Sequence, residues 1–131
     1  MKNLEKLVSI AREARKKAYA PYSSFFVGAA LLCSDGSVYE GCNIENTSFT
    51  PTCCAERVAL FKAVSEGKRE FSAIAIVGGK QGEPCGPCYP CGVCRQVLAE
   101  FCKEDFKIII ASDTDMSEIT LGELLPRSFK F

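Results

Sequence analysis

The stretch Thr52-Cys-Cys-Ala-Glu-Arg-Val-Ala-Leu-Phe-Lys-Ala-Val-Ser-Glu-Gly67 decides how the rest of the chain is read. A helix is expected from about Cys54 to Glu66, closed by Gly67, because glycine accepts the left-handed backbone that often ends a helix. Ala55, Val58, Ala59, Leu60, Phe61, Ala63 and Val64 leave little of its circumference polar, so the helix should be central and covered on several sides. Upstream, Ile44 to Thr52 is polar, ends near Pro51 and reads as a loop. Before it, Val27 to Cys33 and Val38 to Asn43 are strand-like runs joined by the turn Ser34-Asp-Gly-Ser37. Downstream, Ala73 to Val77 reads as a buried strand closed by Gly78-Gly79, and Gly78 to Pro90 as a Gly/Pro/Cys-rich loop.

A third helix is expected from Gly92 to Cys102, with Val93, Val97, Leu98 and Phe101 on one face. Phe106 to Ala111 should form another strand, and Ile119 to Pro126 a short strand followed by a helical turn. At the other end, Leu4, Leu7, Val8, Ala11, Ala14 and Ala18 recur at helical spacing until Ala20-Pro21 breaks the pattern. The order αββαβαβ with a short final element predicts an α/β fold, a mixed sheet sandwiched by helices, within one domain spanning residues 1–131.

Sixteen basic residues balance sixteen acidic ones. That balance argues against a nucleic-acid partner, which needs a basic surface to neutralise phosphates. No apolar run reaches the ~18 residues of a membrane span, and the N-terminus lacks the apolar stretch of a signal peptide. Nine cysteines are therefore read in a reducing, cytoplasmic setting, where such density suggests metal ligation before disulfides. The chain has no histidine. Any zinc site must use thiolates, carboxylates and water, and any general base must be another residue type.

Two clusters carry the chemistry: Cys53-Cys54-Ala55-Glu56 and Pro90-Cys91-Gly92-Val93-Cys94. Each sits at a predicted helix N-terminus, where free N–H groups and the helix dipole stabilise a thiolate. Two such helix starts aimed at one point supply three thiolates to one ion and leave the fourth tetrahedral position for water, which a zinc ion activates as hydroxide. Glu56, two residues past Cys54, would stand beside the metal without binding it and move the protons. Three thiolates overcompensate a divalent cation, and Arg57 is expected to hydrogen-bond ligand sulfurs and restore its Lewis acidity. Between Pro84 and Cys94 the pattern Pro-Cys-x-x-Cys fits three times. Only Cys91 with Cys94 runs straight into the amphipathic helix, since Pro90 excludes a continuous helix after Cys85 and Cys88.

The Cys-Ala-Glu and Pro-Cys-x-x-Cys pair is a zinc-deaminase signature, and the chain resembles the short-type cytidine deaminases. The resemblance runs through Ala20-Pro-Tyr-Ser23, Phe25, Val27-Gly-Ala-Ala30, Gly41-Cys-Asn-Ile-Glu-Asn46 and Cys54-Ala-Glu-Arg57. It continues in Phe61-Lys-Ala-Val-Ser-Glu-Gly67, Pro90-Cys-Gly-Val-Cys-Arg-Gln96 and Leu124-Leu-Pro126. It implies the deaminase three-layer fold, with Cys54, Cys91 and Cys94 holding one Zn2+ per chain and Glu56 shuttling protons. The substrate implied is cytidine or 2'-deoxycytidine, converted to uridine or 2'-deoxyuridine with loss of ammonia in pyrimidine salvage. Asn43 and Glu45 would bind the ribose hydroxyls, Phe25 would pack on the pyrimidine, and the backbone of Ala55 would meet its polar edge. The resemblance further implies a homotetramer in which Phe129 reaches a neighbouring copy's site. Phe49 stands at a substrate-side position where relatives commonly carry tyrosine, and Pro126-Arg-Ser-Phe129 departs from the Gly-Ala found there in many relatives. The nearest alternative is a blasticidin-S deaminase, which shares both cysteine motifs; Asn43-x-Glu45-Asn46 favours the plain nucleoside. A non-enzymatic alternative is a structural zinc module closed by Cys85, Cys88, Cys91 and Cys94, which leaves Cys54-Ala-Glu56 unexplained. Cys33, Cys42, Cys53 and Cys102 read as ordinary thiols.

Overall fold

The computed structural model describes residues 2–131. Its elements are α1 (Lys2–Arg15), β1 (Phe25–Cys33), β2 (Val38–Cys42), α2 (Ala55–Ser65), β3 (Phe71–Lys80), α3 (Gly92–Phe101), β4 (Lys107–Ala111), β5 (Met116–Thr120) and α4 (Leu121–Leu124). The strands form one sheet in the order β2-β1-β3-β4-β5. β3 and β4 run parallel across the α3 crossover, and every other pairing is antiparallel. The mixed sheet expected from the element order is the one observed.

Alternation along the strands makes the sheet a middle layer. Ala29, Leu31, Ile74, Ile76, Ile108 and Ile110 join the core beneath α2 and α3. Their neighbours Ala30, Ala73, Ala75, Val77 and Ile109 join the opposite core with Leu7, Val8 and Ala11 of α1. Each fully buried isoleucine contributes about 1.5–3 kcal/mol over an exposed one. Gly41 sets the seat of α2: a Cβ there would fall 2.4 Å from the Ala55 carbonyl oxygen and 2.6 Å from the Ala59 nitrogen. The first turn of α2 can lie directly on β2 only because that side chain is missing.

Four expectations are corrected by tertiary partners. α1 ends at Arg15, not Ala18; Lys16, Lys17 and Ala18 tighten into a turn, and Tyr19 then bridges to Ile44, two residues beyond β2. β3 does not stop at Gly78-Gly79 but runs through them to Lys80, because Phe26 and Val27 of β1 pair with both glycines. Val93 does not share the buried face of α3; it is 57% exposed while Cys94 and Leu98 turn inward. Finally, α2 is covered by the sheet and α3 but keeps Phe61 46% exposed on its outer side.

Candidate active site

The cysteine-bearing helix starts converge. Cys54 is the N-cap of α2 and Cys91 the N-cap of α3, both with extended backbone and no side-chain cap. Their sulfurs are therefore free to point away from their own helices and toward each other, 3.7 Å apart. With Cys94, one turn into α3, they form a group whose sulfur atoms all lie within 4.8 Å of one another. A tetrahedral zinc with Zn–S bonds of ~2.3 Å requires sulfurs about 3.8 Å apart. Soft thiolates at that spacing fit zinc.

The surroundings favour the thiolate at Cys54, whereas the neighbouring Cys54 sulfur and burial push the Cys94 thiol up. The Cys54 thiol is lowered to about 5, first by a hydrogen bond from Cys94 and then by the Arg57 guanidinium, against the opposing effect of burial. Arg57 Nη2 lies 3.6 Å from Cys54 Sγ and 3.3 Å from the Thr52 carbonyl. The contact expected between this arginine and a ligand sulfur is thus present. Glu56, in the first turn of α2, is 4% exposed. Burial pushes its carboxyl up to about 7, and the negative charge of Cys54 adds in the same direction.

Cys85 and Cys88 do not join this group. Cys85 is buried with α1 residues on one side of the sheet, whereas Cys88 packs on the core of the other. Among the described residues the group that could hold a metal ion is Cys54, Cys91 and Cys94, so the closed four-thiolate module is not assembled.

The residues expected to face a nucleoside lie at the start of β1, in the segment after β2, at the start of α2 and in the C-terminal tail. Asn43 is buried, and its side chain fastens β1: Oδ1 accepts from the Val27 N–H at 2.9 Å, and Nδ2 donates to the Phe25 carbonyl at 2.8 Å. Glu45 accepts from the Tyr22 and Ser23 N–H groups at 3.0 and 3.1 Å, and from the Ser23 hydroxyl. The Ser23 hydrogen bonds hold its carboxyl below the usual range. Ser24 takes a left-handed φ of 58° just before Phe25 enters β1. Tyr22, Ser23, Glu45, Asn46, Phe49 and Thr52 line a groove of about 300 Å³, with the Phe49 ring 80% exposed. The Ala55 side chain is fully buried at the α2 start. Phe129 lies beside the middle of α3, its carbonyl accepting from Gln96 Nε2 at 3.2 Å. Its ring is exposed and stacks edge-on against Phe131, with centroids 5.2 Å apart.

Comparison with known proteins decides the family. The family model of the cytidine and deoxycytidylate deaminase zinc-binding region matches residues 1–110. The chain belongs to this deaminase family. The cytidine deaminase of Halalkalibacterium halodurans is 53% identical over 124 residues, covering 94% of this chain and 91% of the relative. That of Sporosarcina psychrophila is 49% identical over 128 residues, covering 97% and 91%. The crystal structure of cytidine deaminase from Burkholderia pseudomallei superposes with a TM-score of 0.88 at 47% identity, covering 95% of this chain and 98% of that one. The chain is an enzyme of the deaminase family, and its layered fold is the family's.

Two contacts beside these residues were not read from the sequence. Ser23 holds Glu45, a contact hinted at only by the polar turn after Pro21. Arg95 donates to the Pro90 carbonyl at 2.8 Å and the Leu124 carbonyl at 2.8 Å, tying the approach to Cys91 to the base of the C-terminal tail. Nothing local in the sequence marks the second partner, 29 residues away.

Proposed function

We propose that the chain hydrolyses the exocyclic amine of cytidine and 2'-deoxycytidine, giving uridine or 2'-deoxyuridine and ammonia, as a step of pyrimidine salvage. The observation that carries this reading is the buried carboxyl of Glu56 beside three convergent cysteine sulfurs. Cys54, Cys91 and Cys94 would hold one Zn2+ per chain, which supplies Lewis acidity and makes a water acidic at neutral pH. Glu56 takes the proton of the attacking water, delivers it to the ring nitrogen beside C4, and carries the next proton to the departing amine. Oxygen from water is gained at C4 and ammonia is lost. Arg57 offsets the excess negative charge of the sulfurs.

On the nucleoside side, Phe25 would stack on the pyrimidine and the Ala55 backbone would meet its polar edge. Asn43 and Glu45, braced by the contacts above, would receive the ribose hydroxyls. Phe49 would line the mouth. The exposed rings of Phe61, Phe49 and Phe129 support a homotetramer, in which Phe129 closes a neighbouring copy's site. No helix among the described residues is long and apolar enough to cross a membrane.

The test is loss of the cytidine ultraviolet band with one ammonia released per uridine formed, abolished by a chelator and restored by zinc. Faster turnover of blasticidin-S than of cytidine would overturn the substrate assignment.

A further inference from the structure

Cys85 and Cys88, the surplus members of the cysteine series, occupy positions that grip the end of β3. A Cβ on Gly78 would fall 2.7 Å from Cys88 Sγ and 3.1 Å from Val27 Cγ2. A Cβ on Gly79 would fall 3.1 Å from Cys85 Cα and 3.2 Å from its sulfur. Successive strand residues face opposite sides of a sheet, so Cys88 lies on the metal side and Cys85 on the α1 side. Gly86, between them in sequence, bridges to Gly78. The loop therefore straddles the strand end, and only the two bare glycines leave room for it.

Both jaws are secured. Behind Cys85, its N–H donates to Asp113 Oδ2 at 2.9 Å, and its carbonyl accepts the Asp113 N–H at 3.1 Å. Beyond Cys88 the chain passes through Tyr89 and Pro90, whose carbonyl Arg95 holds, to reach Cys91. Cys91 is exposed and stands where the loop meets α3, its carbonyl accepting the Arg95 N–H at 2.9 Å, so the loop fixes the side from which the chain enters this helix start. Fixing a ligand segment in its bound geometry lowers the ordering cost of binding.

We propose that Cys88 and Cys85 are positioning residues: they clasp the Gly78-Gly79 end of β3, hold the Cys91 sulfur against Cys54, and so govern how long the metal stays. This inference rests on Cys54, Cys91 and Cys94 being the zinc ligands; the clasp itself does not touch the ion.

The test is the rate at which the zinc-loaded full chain gives up zinc to an excess of a chromophoric chelator. Cys88→Ala is expected to release zinc about tenfold faster than wild type, the low end for groups that orient ligands from outside the coordination sphere. Gly78→Ala should also accelerate release, because its new methyl displaces the Cys88 sulfur. Combining the two should give less than the product of their separate effects, since deleting the sulfur makes room for the methyl. Cys33→Ala removes a buried sulfur from the same core at the opposite end of β1, and should release zinc at the wild-type rate. Equal rates for Cys88→Ala and wild type, or equal acceleration by Cys33→Ala, would overturn the clasp. So would independent effects of Gly78→Ala and Cys88→Ala. If Gly78→Ala does not fold, the comparison of Cys88→Ala with Cys33→Ala decides. Normal zinc retention by Cys94→Ser would overturn the ligand assignment instead, and the clasp with it.

Discussion

The two halves of the candidate site are built differently. The thiolate half is assembled within one chain: two helix starts bring the Cys54 and Cys91 sulfurs 3.7 Å apart, with Cys94 and Glu56 buried behind them. The nucleoside half is open. Phe49 and Phe129 are 80% and 65% exposed, while Asn43 holds the start of β1 and Glu45 the Tyr22-Ser23 backbone before it. The contrast assigns separate jobs. On the proposed function, the groups that would hold the metal and exchange protons are set by the fold, whereas enclosure of the substrate would be left to surfaces that a second copy can cover.

The largest expected effect comes from breaking the first half. Cys94→Ser should lose its zinc and all measurable turnover, while Cys88→Ser keeps bound zinc; metal analysis beside the ammonia assay separates them. Zinc lost from Cys88→Ser and kept by Cys94→Ser would reverse the assignment of ligands. Breaking the second half by removing residues 127–131 should inactivate the enzyme without removing zinc. Mixing such subunits with Glu56→Gln subunits should then restore part of the activity, because some sites combine an intact Glu56 with a donated Phe129. Absence of recovery in oligomers shown to be mixed would place Phe129 in its own chain's site. A smaller effect is expected from Glu45→Gln. Losing charge-assisted hydrogen bonds at the ribose costs ~1.5–3 kcal/mol, so KM for cytidine should rise about 10- to 100-fold while kcat changes far less. A loss confined to kcat would remove Glu45 from substrate binding.

The same division describes what could be read in the sequence. The cysteine group was legible because its signals are local: Cys54-Ala-Glu56 and Cys91-x-x-Cys94 each sit where an apolar run begins, and Pro90 separates Cys85 and Cys88 from the helix that follows. The mixed sheet was legible from the order and apolar runs of the elements. What escaped depends on distant partners. Gly78-Gly79 looked like the end of a strand, yet they pair with Phe26 and Val27 and leave space for Cys85 and Cys88. Asn43 was read as a partner for a ribose hydroxyl, and nothing local marked that its amide also fastens β1. Val93 fitted an apolar face by spacing alone, until the inward turn of Cys94 set the rotation of α3.

The most direct test of the central claim is Glu56→Gln, measured for zinc content and cytidine turnover in the same preparation. The amide is nearly isosteric but cannot take up a proton as the carboxylate does. One zinc per chain with turnover lowered at least ~10²-fold, the low end for general acid–base catalysis, is the expected result. Near-normal turnover with zinc in place would contradict the proton-transfer role of Glu56, and with it the proposed mechanism.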